Sequence, residues 1–196
     1  MINITEEPNL QAIPYKHIFS EYAVNEDLHN KIIDWLEVDA AWNLVEADFY
    51  TQYEMDLYKA DLPPFLDFIT STAYLNYLKS YVEKIYNVSL LEKFDVVAHK
   101  LVKDHIIKIH NDYLDDQRPR ESHRLLLHLN RNWHIDNGGL CMVFSDNNSE
   151  SVTSIVSPEG KLMQSFEISK NSYHAVSKIY KGNRLTIIFT FYMDED

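Results

Sequence analysis

The sequence predicts a mainly β protein with helices flanking its N-terminal side, folded as a double-stranded β-helix, or jelly roll. Two observations predict this. Beyond Phe94 the chain divides into eight short runs rich in β-branched and aromatic residues, separated by turn clusters. Before it, two stretches carry apolar residues at helical spacing. With 196 residues the chain is long enough to bury a sizeable core, and it reads as a single domain over 1–196. Residues 1–93 form a helical and mixed support region and 94–193 the jelly-roll core.

The elements follow in order. Asn25 is an N-cap type, and Leu28, Ile32 and Leu36 after it repeat at helical spacing, so a helix is expected over 25–39. The aromatic stretch "DFYTQYEMDLY" at 48–58 reads as extended, with Phe49, Tyr50 and Tyr53 available to line a substrate mouth. Pro63-Pro64 disfavours one continuous helix. A second helix is expected over 72–87, where Tyr74, Leu78, Tyr81, Val82 and Ile85 form one apolar stripe. The eight β-rich runs are "FDVVAHKLV", "HIIKIH", "RLLLHLN", "LCMVF", "SVTSIV", "LMQSFEI", "YHAVSKI" and "RLTIIFTFY", and "DNNSES" at 146–151 is a loop. There is no internal repeat and no flexible linker.

Four residues carry the chemistry: His110 and Asp112 in "KIHNDY", His174 in "SYHAV" and Arg184 in "KGNRLTIIF". Two imidazoles and a carboxylate can occupy one face of an octahedral Fe(II) and leave the other positions open. His110 and Asp112 stand at i and i+2, so on a strand both side chains leave from one face. His174 lies far enough downstream for the chain to traverse a sheet and return. The turn signal Lys181-Gly182-Asn183 then suggests a hairpin bringing Arg184 back toward the His174 strand. A guanidinium fork holds a carboxylate bidentately, which suits the far end of a dicarboxylate that chelates the metal.

With these residues in hand, the chain resembles the Fe(II)/2-oxoglutarate-dependent dioxygenases of the prolyl 4-hydroxylase-like branch. The matching text is "HND", "LLLHLNRNW", "NGGL" and "YHAVSKIYKGNRLTIIFTF", in family order over roughly residues 94–193. The resemblance implies that His110, Asp112 and His174 ligate Fe(II) and that Arg184 binds the C5 carboxylate of 2-oxoglutarate. It also implies that Thr186, on Arg184's strand face, supplies the family's hydroxyl. Where many relatives have Tyr, this chain has His128 in "HLN", so an imidazole is expected to take over the phenol's contact with the cosubstrate. O2 would be the oxidant and ascorbate a possible reductant. No catalytic side chain is expected beyond the metal centre.

Blander readings stand beside these. A lone H-x-D is common, and a second copy, His134-x-Asp136, is set aside because Asn137-Gly138-Gly139 places it on a loop. His17, His29, His99, His105 and His123 read as ordinary surface or half-buried residues. Cys141 reads as a core-facing strand residue. A cupin-like metalloenzyme that does not use 2-oxoglutarate would have no use for Arg184. A non-catalytic binding protein with a vestigial site would more often have lost a ligand, and a halogenase would lack Asp112.

Composition sets the partners. A net charge of −12 without a basic run argues against nucleic acid. No apolar stretch reaches a membrane span and no signal-peptide pattern opens the chain, so a soluble, cytoplasmic protein with no membrane partner is expected. One cysteine fits a reducing compartment. The expected substrate is a small amino-acid-like molecule, free or carrier-bound, or a prolyl or other side chain of a peptide or protein. The loop "YLDDQRPRES" after the HND motif brings Arg118 and Arg120 as candidates to meet a substrate carboxylate, with Tyr53 as a third substrate contact.

Overall fold

The computed structural model describes residues 1–4 and 8–194. Its N-terminal half holds β1 (Asn3–Ile4), β2 (His17–Ala23), α1 (Glu26–Val38), β3 (Asn43–Glu46), β4 (Thr51–Asp56) and α2 (Thr72–Tyr86). Then come β5 (Phe94–Leu101), β6 (Ile107–His110), β7 (Arg120–His128) and β8 (Cys141–Phe144). The chain closes with β9 (Val152–Val156), β10 (Leu162–Glu167), β11 (His174–Val176) and β12 (Arg184–Met193).

The fold is mainly β, built from two antiparallel sheets. The larger runs β1-β2-β10-β7-β12-β5-β4-β3 and the smaller β6-β11-β8-β9. All eight runs read from the sequence after Phe94 are strands. The N-terminal region does more than support them: β2 pairs with β10 and β4 with β5, so it completes both flanks of the larger sheet. These pairings escape a sequence reading because a strand partner far along the chain leaves no local mark.

Both helices begin where their caps require. The Asn25 side chain accepts from Leu28 N and Ser71 from Tyr74 N, each satisfying a donor that the first turn cannot. Asn87 ends α2 in the left-handed region at φ 54°. The buried faces of the helices, Ile32, Ile33 and Leu36 from α1 and Leu75, Leu78 and Val82 from α2, join Leu125, Leu127, Ile187 and Phe189 of the larger sheet in one core. Alternate residues of β7 and β12 therefore fill this core, and those between them point toward the smaller sheet. No helix among the described residues is long and apolar enough to cross a membrane.

Candidate metal and cosubstrate site

Between the sheets lies a cavity of about 290 Å³. The larger sheet supplies Gln52, Glu54, His99, Arg124, Gln164 and Arg184 to its wall, and the smaller sheet and the chain after β6 supply His110, Asp112 and His174.

His110 ends β6 and faces His174 of β11 as a registered pair, with ring centroids 4.2 Å apart. Asp112 is no longer on the strand. Its backbone turns into the left-handed region at φ 59°, uncommon for a residue with a Cβ, and this swings the carboxylate back over both imidazoles. Asp112 Oδ1 lies 3.3 Å from His110 Nε2, and Oδ2 lies 3.2 Å from His174 Nε2. The three ligand atoms sit within 4.8 Å of one another. The Ser172 hydroxyl, donating to Asn111 O at 3.0 Å, ties the approach to β11 to the residue between the first two ligands.

These residues fit a metal. Each imidazole hydrogen-bonds a backbone carbonyl two residues earlier, His110 Nδ1 to Lys108 O at 2.9 Å and His174 Nδ1 to Ser172 O at 2.8 Å. A carbonyl only accepts, so Nδ1 carries the proton and, in the neutral ring, Nε2 presents its lone pair to the carboxylate. Acceptors that converge without a proton between them call for a cation. Two imidazoles and one carboxylate on one face are the donor set of non-haem Fe(II) oxygenases. Burial works against charge on Asp112, but Arg124 and the two imidazoles outweigh it and hold the carboxyl well below its usual range. Burial, reinforced by neighbouring His110, lowers the His174 pKa.

Arg184 fits a buried anion. It is 3% exposed, donating from Nη1 to Thr186 Oγ1 at 3.2 Å and from Nη2 to Cys141 Sγ at 3.4 Å, while Nε has no hydrogen-bond partner among the described residues. Neither contact supplies a negative charge, and a buried cation without one is costly. Arg184 does not return beside His174 in a hairpin. β12 pairs with β5 and β7 in the larger sheet while β11 belongs to the smaller, so Arg184 faces the ligands across the cavity. The chain can make this crossing because Gly138 and Gly139 adopt positive φ where it passes under Lys178 and Ile179. A Cβ on Gly139 would stand 3.1 Å from Arg184 Cδ.

The other sequence-predicted residues divide. Thr186 bonds Arg184, and His128 Nδ1 lies 3.3 Å from Thr186 Oγ1, so all three form one cluster. His128 is fully buried and absent from the cavity lining, whereas Cys141 and Gln164, which both contact it, are part of that lining. Burial, then the Arg184 charge, holds His128 well below the usual histidine range and keeps it neutral. Tyr53 is absent from the cavity lining and stacks on His105 at 5.6 Å. Its neighbours Gln52 and Glu54 face inward, since parity along β4 is set by pairing with β5. Arg118 and Arg120 are likewise absent from the lining. Arg118 donates to Gln117 O at 2.6 Å, and Arg120 lies 5.5 Å over the Tyr113 ring. His134 and Asp136 are exposed, away from the cavity.

Two further residues of the wall gain their roles from the fold. Arg124 donates to Asp112 Oδ2 and to Glu121 Oε2, a role that spacing does not signal. His99, expected to be an ordinary surface or half-buried histidine, lines the cavity. Burial and the charges of Arg124 and Arg184 push its pKa down to about 3. Its place opposite Thr186 in the register follows from β5 pairing with β12.

Comparisons with known proteins agree with this architecture. The profile of the 2OG-Fe(II) oxygenase superfamily matches residues 97–191. A prolyl-4-hydroxylase from Pseudomonas putida superposes with a TM-score of 0.73 at 15% identity, covering 91% of this chain and 93% of that one. A prolyl hydroxylase from Trichoplax adhaerens, solved with a hypoxia inducible factor peptide fragment, gives 0.65 at 13% identity over 90% and 83%. HygX from Streptomyces hygroscopicus, solved with nickel and 2-oxoglutarate, gives 0.61 at 15% identity over 90% and 82%. No significant match was found among curated protein sequences. Over residues 97–191 the chain is similar to the 2OG-Fe(II) oxygenase superfamily, and as a whole it has a prolyl hydroxylase-like fold.

Proposed function

We propose that the protein is an Fe(II)/2-oxoglutarate-dependent hydroxylase built on a double-stranded β-helix. The observation that carries this reading is the convergence of His110, Asp112 and His174 in one cavity with a buried Arg184 that has no acidic partner among the described residues. His110, Asp112 and His174 would hold Fe(II). Arg184, supported by Thr186, would hold the far carboxylate of 2-oxoglutarate, with neutral His128 orienting the Thr186 hydroxyl from behind. Bound iron, with 2-oxoglutarate and O2, supplies an oxidant able to hydroxylate an unactivated C–H bond, releasing succinate and CO2; ascorbate would serve to keep the metal ferrous.

The chain's own task is placement. The carbonyls of Lys108 and Ser172 hold the two imidazoles in the ligating tautomer, and Arg124 holds the carboxylate. Leu126, Phe166, Val176 and Ile188 keep the cavity wall apolar and restrict water. A volume of about 290 Å³ lies at the small end of ligand sites, roughly 300–1,000 Å³. With the cosubstrate inside, the room left suits one side chain or a small molecule. The substrate is thus an amino acid, free or carrier-bound, or a prolyl or other peptide side chain. The net charge of −12 supports a partner other than nucleic acid. Shared burial of α1, α2 and the larger sheet supports a single domain, with 94–193 as catalytic core.

Anaerobic titration of the protein with Fe(II) and 2-oxoglutarate tests this reading. The weak visible charge-transfer band of the chelate is expected, and slow succinate formation on admitting O2. Iron bound with no band and no succinate above a His174→Ala control would overturn it.

A further inference from the structure

The wall formed by β4 carries chemistry that metal and cosubstrate leave unused. Gln52 lines the cavity and is 4% exposed. Its Nε2 donates to Glu54 Oε1 at 2.8 Å. A carboxylate only accepts, so this bond fixes the amide's orientation and leaves Gln52 Oε1 as a buried acceptor with no partner among the described residues. Such an atom asks for a donor.

Glu54 stands two residues along the same face of β4 and lines the same cavity. Its polar partners are neutral: Gln52, and Tyr50, whose hydroxyl hydrogen-bonds it. The cavity's two guanidinium groups are accounted for elsewhere, Arg124 by Asp112 and Glu121, and Arg184 by the site assigned to the cosubstrate. β5 separates β4 from β12, which puts Glu54 roughly 10 Å to the side of the Arg184 strand at ordinary strand spacing. Phe49 and Tyr50 complete this side, their rings meeting edge to face with centroids 4.8 Å apart. A buried acceptor, a carboxylate without a cation among the described residues and two aromatic rings are together the surroundings that favour a positively charged nitrogen.

We propose that the substrate carries a cationic nitrogen, an ammonium or guanidinium on a Lys-like or Arg-like side chain or a comparable amine, which docks between Gln52 Oε1 and the Glu54 carboxylate. The cosubstrate's anion then sits on the Arg184 side of the cavity and the substrate's cation on the β4 side. A neutral prolyl side chain leaves both groups unanswered, so likeness in fold to prolyl hydroxylases does not extend to this wall. What happens to the bound molecule rests on the oxygenase reading; its binding does not.

The test is calorimetric titration with Nα-acetyl-lysine methylamide, Nα-acetyl-arginine methylamide and n-butylammonium, against the neutral norleucine and proline derivatives. Calorimetry needs neither metal nor cosubstrate, so each probe is titrated with and without Fe(II) and 2-oxoglutarate under anaerobic conditions. At least one cationic probe is expected to bind about tenfold or more tighter than its neutral counterpart at low salt, less so as salt rises. In Glu54→Gln, with folding checked by thermal melting, the preference should fall to within about twofold. Equal or tighter binding of the neutral probes to the wild-type protein, or binding of none of the cations, overturns the proposal without recourse to a variant. A protein that prefers the cation but forms no 2-oxoglutarate chelate would overturn the oxygenase reading instead.

Discussion

Arg124 Nη1 donates to Asp112 Oδ2 at 2.7 Å, and that same oxygen lies 3.2 Å from His174 Nε2. A guanidinium from the larger sheet therefore braces a carboxylate carried by the chain after β6 of the smaller one. Its second arm is held by Glu121. The bracing compensates for the position of Asp112, whose left-handed backbone beyond the strand end would otherwise leave its rotamer unsupported.

Arg124→Leu should accordingly weaken Fe(II) binding by roughly 10- to 100-fold, the usual cost of losing a partner that orients a ligand. Arg124→Lys should recover part of it. Anaerobic metal titration reads the effect without turnover. Unchanged affinity in Arg124→Leu would show that the carboxylate holds its own orientation.

Removing a ligand should be more severe. His110→Ala and His174→Ala are expected to purify without iron and to take up little on reconstitution, because two remaining ligands make a poor site. Metal analysis after gel filtration checks this.

Arg184→Ala should retain iron and lose 2-oxoglutarate. Depriving a carboxylate of its bidentate partner in a partly dry pocket costs on the order of 2–5 kcal/mol, or roughly 30-fold to several thousand-fold in Kd. Since Arg124 is already engaged, no second guanidinium stands ready to replace it. Binding as tight as wild type would remove Arg184 from the clamp.

A Cβ on Gly138 would lie 1.9 Å from the Lys178 carbonyl oxygen, at a φ of 72°. Gly138→Ala is therefore expected to destabilise the fold by about 1 kcal/mol or more. Urea unfolding measures it, and an unchanged midpoint would show that this passage can shift at little cost.

Stability should fall in acid through His123. Burial, with Lys16 and Arg120 adding to it, depresses its pKa to about 3 from the ordinary histidine value of 6.5. Between these values the unfolded chain takes a proton that the folded chain refuses, so stability present above pH 6.5 drains as pH falls toward 3. The loss approaches a factor of about ten in the folding equilibrium per pH unit. His123→Phe should flatten that part of the profile in a pH series of denaturant melts; an unaltered slope would assign it to other groups.

Much of this molecule could be read locally. Helix ends follow from Asn25 and Ser71 accepting from nearby backbone amides, and strand runs follow from composition and turns, because the responsible contacts are close in sequence. The kinds and order of His110, Asp112, His174 and Arg184 already pointed to the proposed metal chemistry, since coordination depends first on donor type. Strand parity was less accessible. Tyr53 and Glu54 are adjacent, and only the register of β4 on β5 sends Glu54 into the cavity and Tyr53 out to His105.

By itself, then, the sequence determined which side chains were available for iron and a dicarboxylate, and that β-rich runs would carry them. Tertiary structure alone decided that Asp112 approaches His110 and His174 from beyond the strand end, that Arg184 faces these proposed ligands from the other sheet, and that Arg124 braces the Asp112 carboxylate. It also placed Gln52 and Glu54 in the wall and Arg118, Arg120 and Tyr53 outside it. The physical reason is one and the same: pairing and register join residues far apart in the chain, and shifting a strand by one residue exchanges its two faces.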